Sequence, residues 1–235
     1  MIKLRDDVVF EDPQSRIREY CAIEIYYDYD DKHNINHDIT QRDIDSANQL
    51  YAMIDRYDNE ESKRLLNHSK RLSKLLTSIP NIDIHAISNE NWSKLRIDIK
   101  KLFAEFLSIK GFDLAKTTKI LHLKRPNLFP SLDIFVLKFL FDIDLSSLSK
   151  PRQLYLGLQA LERTRKVIKE QKDEFEKLTE QICDLPIPLT PVRLFDILCW
   201  TAEKWDIRKN KKAPYGKKIN LWYLGEGARY EGLTG

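Results

Sequence analysis

Apolar residues recur every three to four positions along most of this chain, which is the spacing of amphipathic helices. Ile44, Ala47, Leu50, Tyr51 and Ile54 keep that spacing after Thr40, and Asp43 completes a capping-box pair with it, so a helix is expected from Thr40 to about Tyr57. Leu65, Leu66, Leu72, Leu75 and Leu76 predict the next helix over about 61–77, ended by Pro80. Asn91 can cap a third, with Leu95, Ile99, Leu102, Phe103 and Phe106 on one face. Gly111 interrupts the pattern, and a fourth helix opens near Asp113. Residues 131–141 are almost wholly apolar and predict a core helix. A long charged helix is expected over about 151–182, and Thr190 with Pro191 opens the last one. Only Ile23-Glu24-Ile25-Tyr26-Tyr27 alternates with the period of a strand. The pattern is that of a mostly all-α, multi-helix globular domain over residues 1–205 with a minor β element near the N-terminus. A basic tail follows over 206–235, in which Lys204–Lys218 holds seven Lys/Arg against one Asp, with Trp222 and Tyr223 beyond.

Composition agrees and narrows the classes. A 42% hydrophobic content can build a core in 235 residues, and 32% charge with seven glycines disfavours an all-β sandwich. Net charge is only +3, so affinity for nucleic acid has to come from local clustering. Cys21, Cys183 and Cys199 are far apart and form no CxxC pair, which argues against disulfides, an iron–sulfur cluster and structural zinc. The N-terminal residues lack an apolar signal region and no apolar run reaches membrane-spanning length, so a cytoplasmic location without membrane attachment is expected. The loop holding Asp28, Asp30, Asp31, His33, His37 and Asp38 fails the calcium-loop template at His33 and Ile39. His33 and His37 have zinc spacing for a helix, but Asn34 and Asn36 disfavour one. The loop therefore reads as solvated, and neither metal nor cofactor is expected.

The clearest chemistry lies in residues 102–136. One helix closes at Gly111 and another opens two residues later, a helix-hairpin-helix spanning about 91–122. Such a hairpin aims backbone N–H groups and a helix N-terminus at a single point suited to a phosphate. Lys110, Lys116 and Lys119 cluster there, followed by Lys124 and Arg125, and residues 110–138 carry six Lys/Arg against two Asp/Glu. Lys110, Gly111, Lys116, Lys119, Lys124 and Arg125 are thus the expected contacts to a DNA backbone. A plain inter-helix turn with a solvated basic face fits the same residues.

With Gly111, the following helix, Arg125-Pro126 and Pro130-Ser131-Leu132-Asp133 in place, the segment resembles the helix-hairpin-helix DNA glycosylase superfamily of endonuclease III. It is closer still to an uncharacterised bacterial family with the same hairpin and an Arg-Pro…Pro…Asp stretch. The resemblance covers about 102–140 and implies that Asp133 is the catalytic carboxylate. It would stabilise the cation that develops as an N-glycosidic bond breaks, or activate water. Position alone favours reading Asp133 as a first-turn acid of a helix capped by Ser131, and the matching spacing from Gly111 brings the two readings level. The chain departs from the superfamily where the second hairpin glycine is Asp113, which can cap its own helix and compete with a phosphate. It departs again at Ala115, the position that is lysine in bifunctional members. The resemblance therefore implies monofunctional hydrolysis by water, with DNA as partner. A non-catalytic helical scaffold is the alternative.

Overall fold

A computed structural model describes residues 1–5, 8–22, 28–142 and 148–207. The described part is mostly helical, with one small two-stranded sheet. The sheet is an antiparallel pair, β1 (Ile2–Arg5) and β2 (Val8–Phe10), with Ile2 opposite Phe10 and Lys3 opposite Val9. The β element thus precedes the 23–27 alternation, which lies outside the described residues, as does the tail beyond residue 207. Among the described residues no helix is long and apolar enough to cross a membrane.

The helices in order are α1 (Pro13–Cys21), α2 (Gln41–Gln49), α3 (Glu61–Leu76), α4 (Asn89–Ser108), α5 (Leu114–Lys124), α6 (Ile134–Phe141), α7 (Lys150–Glu170), α8 (Lys172–Gln181) and α9 (Pro191–Thr201). Their starts follow local chemistry. Asp12, Ser88, Asp113, Asp133 and Thr190 each accept a backbone N–H of the first turn, satisfying donors that have no partner within the helix. Ser88 takes the role expected of Asn91, and Asp133 the role expected of Ser131.

Two boundaries depart from the hydrophobic pattern because polar side chains divert the backbone. α2 stops at Gln49 rather than Tyr57. Asn48 exchanges two hydrogen bonds with the backbone of Ile54, at 2.9 and 3.2 Å, and Tyr51, Met53 and Asp55 turn left-handed with φ of 57°, 58° and 67°. The expected helix over 151–182 breaks at Gln171. Its amide accepts from Lys3 N at 2.7 Å and donates to Lys3 O at 2.6 Å, which ties β1 to the helix junction.

α5 lies at the centre. It contacts α2, α4 and α7, and every residue from Lys116 to Lys124 is buried although four of them are basic or imidazole side chains. α9 is buried throughout as well and packs on α1, α6 and α7. The core thus closes around two helices that carry charge inward. A buried charge needs a partner, and those partners define the sites.

Candidate active-site cleft

The hairpin forms where the sequence predicts it. α4 ends at Ser108, Gly111 turns with φ +91°, and Asp113 caps α5 by accepting Lys116 N at 2.8 Å. Its anion position, however, belongs to the protein itself. The Glu61 carboxylate, from the first turn of α3, lies against Gly111 so closely that a Cβ there would stand 2.3 Å from Oε1. Lys116 Nζ donates to both Glu61 oxygens at 2.7 and 2.6 Å and to Gly111 O at 2.9 Å. Asp55 N donates to Glu61 Oε2 at 3.0 Å. A carboxylate of the chain therefore lies against the hairpin glycine and holds the hairpin lysine that a phosphate would have met.

The expected basic surface is corrected on the same ground. Lys116 is 8% and Lys119 5% exposed, while Lys124 and Arg125 are wholly or almost wholly buried. Lys124 pairs with Asp43 at 2.6 Å and donates to Asn36 at 3.1 Å. The Arg125 guanidinium donates to the carbonyls of Ile79, Ile35 and Leu76, pinning the C-terminal end of α3 and the loop at residue 35 around the end of α5. Lys116, Lys124 and Arg125 cannot meet a DNA backbone without unfolding the core, because their head groups are already paired inside. Lys119 is buried at the cleft, with Tyr51 O as its acceptor. Of the expected contacts Lys110 and Gly111 stay in solvent, and the Lys110 carbonyl accepts from Arg64.

Asp133 is placed differently. Its Oδ1 accepts from both Phe135 N and Val136 N, at 2.9 and 3.0 Å, so one oxygen does the capping. Asp133 lines a cleft whose walls include Tyr20, Tyr51, Phe135 and Trp200 and into which Lys119 also reaches. Tyr20 and Phe135 both meet Trp200 edge to face, at 5.5 and 5.8 Å between ring centres. Lys119 lies one turn beyond Ala115 on the same face of α5, so its amine enters where the Ala115 side chain is too short. Its Nζ donates to Tyr51 O at 3.0 Å, and among the described residues it forms no ion pair. Burial lowers its pKa from the ordinary lysine value, with Asp133 and Asp113 pulling the other way. The cavity is about 30 Å³, room for one or two waters.

A buried polar cluster lines the same cleft through Tyr20, Arg193 and Asp196. Arg193 donates to both oxygens of Asp30 at 2.8 and 3.1 Å, to Asp196 at 2.7 Å and to the Tyr20 hydroxyl at 3.0 Å. Asp196 accepts Ser131 N at 2.8 Å, which fixes the chain just before Asp133. Burial raises the Asp196 carboxyl to about 6 against the opposing pull of Arg193. Both its oxygens are taken, so Asp196 is a positioning residue. Next to Asp30 stand His122 and His33, with ring centres 5.2 Å apart, and these three side chains could hold a metal ion. The sequence reading passed over Glu61, His122, Arg193 and Asp196. The last two had a visible signal, an Arg and an Asp three apart inside the otherwise apolar Val192–Trp200 run.

Comparison with known proteins places the chain in a family but gives it no activity. The chain belongs to DUF6308, a family of unknown function, whose model matches residues 7–203. No curated protein and no solved structure matches it.

Proposed function

We propose that the Asp133 cleft hydrolyses an N-glycosidic bond in nucleic acid, with water as the attacking group. The observation that carries this reading is the setting of Asp133. One carboxylate oxygen is fixed by two helix N–H groups, and the side chain borders an aromatic-walled cleft that also receives a lysine amine. A carboxylate held so rigidly can stabilise the positive charge that develops on a sugar as its base departs, or take a proton from water. The aromatic walls offer faces for stacking a base. A whole base is larger than the present cavity, so substrate entry requires the cleft to open. The segment that lines it at Leu50 and Tyr51 continues through Met53 and Asp55, and Tyr51, Met53 and Asp55 are left-handed, costly geometry of the kind found at ligand-gating segments. DNA would be held by contacts outside the hairpin, Lys110 excepted.

A non-catalytic scaffold is favoured by one observation, the Glu61 carboxylate that fills the hairpin's anion position. One experiment separates the two. A panel of damaged-base duplexes and single strands is incubated with wild type and with Asp133→Asn, and released base is measured. Asparagine caps a helix about as well as aspartate, so the variant stays folded while base release is abolished. Base release that is absent from wild type across the panel, or equal in the variant, ends the glycosidase reading. Borohydride with an abasic duplex is expected to trap nothing. A trapped adduct would map to Lys119, since Lys116 is held by Glu61, and would replace water by an amine nucleophile.

A further inference from the structure

We propose that Asp30, His33 and His122 form a binding site for a divalent first-row transition ion, with zinc the best match. The site is separate from the Asp133 reading and does not depend on it. It joins two parts of the chain about ninety residues apart, the turn after residues 28–30 and the last turns of α5.

Three observations converge. One oxygen or nitrogen from each of the three side chains lies within 4.8 Å of those of the other two. Nε2 of His122 and Nε2 of His33 are both buried and neither has a hydrogen-bond partner. Two bare ring nitrogens facing one carboxylate are a costly arrangement to leave unused, since buried polar atoms in folded proteins are nearly always satisfied. Finally, His122 Nδ1 lies 2.7 Å from Phe129 O. A carbonyl can only accept, so Nδ1 carries a proton, and in the neutral ring Nε2 then presents its lone pair to the cluster. That is the outer-shell hydrogen bond by which metal-binding imidazoles are oriented.

The distances suit an ion better than a direct contact. His122 Nε2 and Asp30 Oδ1 are 3.8 Å apart, too far for a hydrogen bond. Bonds of about 2.0–2.1 Å in a tetrahedron put neighbouring ligand atoms about 3.3 Å apart, so the His122–Asp30 edge has to contract by about 0.5 Å and the other edges by no more than about 1.5 Å. The partly exposed turn of His33 can supply that movement, while His122 and Asp30 are held on buried elements. Asp30 already accepts two hydrogen bonds from Arg193, which leaves lone pairs for a metal. Asp30 and Asp196 together outnumber Arg193 by one charge, so a dication enters a region of net negative charge. Two imidazoles and a carboxylate form a donor set that zinc takes with a fourth position open. His37, which shares the loop and the sequence spacing, is exposed and takes no part.

The test uses the full chain, stripped with chelator and dialysed against Zn²⁺ at neutral pH. The expected result is one zinc per chain in wild type and in His37→Ala. His33→Ala should bind more than about tenfold more weakly, the smallest loss seen when even an outer-shell partner is removed. Zinc should raise the melting temperature of wild type and not of His33→Ala. Co²⁺ bound to wild type should show the intense visible bands of a four- or five-coordinate site, a readout that relies on no variant. Equal zinc affinity in His33→Ala and His37→Ala overturns the proposal. So does a Co²⁺ spectrum that stays that of the six-coordinate aqua ion, which would leave a bridging water as the occupant.

Discussion

Lys116 and Lys119 stand three residues apart on α5, both buried, and their surroundings differ in the one respect that matters for function. Lys116 is closed off by the Glu61 carboxylate at 2.6 Å and the Gly111 carbonyl, and nothing remains for it to bind. Lys119 has only the Tyr51 carbonyl and faces a cleft shared with Asp133. The first lysine completes a structure. The second leaves an amine near a carboxylate in a small, aromatic-walled space, where pKa values and reactivity are readily tuned. The hairpin that looks like the functional feature is therefore the structural one, and the proposed chemistry lies about one turn further along the same helix.

The largest expected effect is on the closed side. Glu61→Gln removes the charge that compensates Lys116, whose side chain is 10% exposed. An uncompensated buried charge costs about 3–5 kcal/mol. Urea denaturation of the variant should show a loss of that order. Glu61→Leu combined with Lys116→Met should recover much of it, because two apolar side chains leave no charge stranded. A loss below about 1 kcal/mol in Glu61→Gln would mean that water reaches the pair, and the contrast with Lys119 would fall.

A smaller effect is expected at the turn. Gly111→Ala places a Cβ on a residue with φ +91° and against Glu61 Oε1. Strained backbone of this kind costs about 1–3 kcal/mol, to which the contact adds. In a Glu61→Ala background the contact is gone and only the backbone cost remains, so the two substitutions should couple by about 0.5 kcal/mol or more in a double-mutant cycle. Strict additivity would show that Glu61 does not occupy the hairpin's anion position.

Much of this fold is written locally, and the parts that are not share one cause. Apolar spacing and capping residues give α3, the Asp113 start of α5 and the Thr190-Pro191 start of α9, because each depends on residues within a turn of one another. Gly111 and Asp133 are legible for the same reason. Burial of Lys116, Lys124 and Arg125 is not, since it depends on Glu61, on Asp43 and on carbonyls of residues 35, 76 and 79, all distant in sequence. A lysine with a remote carboxylate partner and a lysine in solvent look alike in a one-dimensional pattern. His33 and His37 mislead similarly: spacing pairs them, whereas the fold pairs His33 with His122.

The smallest effect is the most direct measure of how Lys119 differs from Lys116. Burial lowers the Lys119 pKa, while an unfolded lysine titrates near about 10.4. Between those values the unfolded chain binds the extra proton, so stability rises with pH, by at most about 1.4 kcal/mol per pH unit. Lys119→Met removes that rise. At neutral pH the substitution should change stability by no more than about 1 kcal/mol, since a methionine fills the space and no ion pair is lost. Tyr29 works in the opposite sense. Burial raises its phenol well above the ordinary value, so the folded chain keeps that proton longer and stability falls as pH climbs past about 10. Lys124 and Lys150 are lowered as Lys119 is, and all three of these groups are common to wild type and variant. The difference between the two urea curves therefore isolates Lys119. It should shift in favour of wild type as pH rises towards the unfolded lysine value of about 10.4. A difference that stays flat would mean that Lys119 holds its proton as firmly as an ordinary lysine, and the cleft would then offer Asp133 a fixed cation rather than a titratable amine.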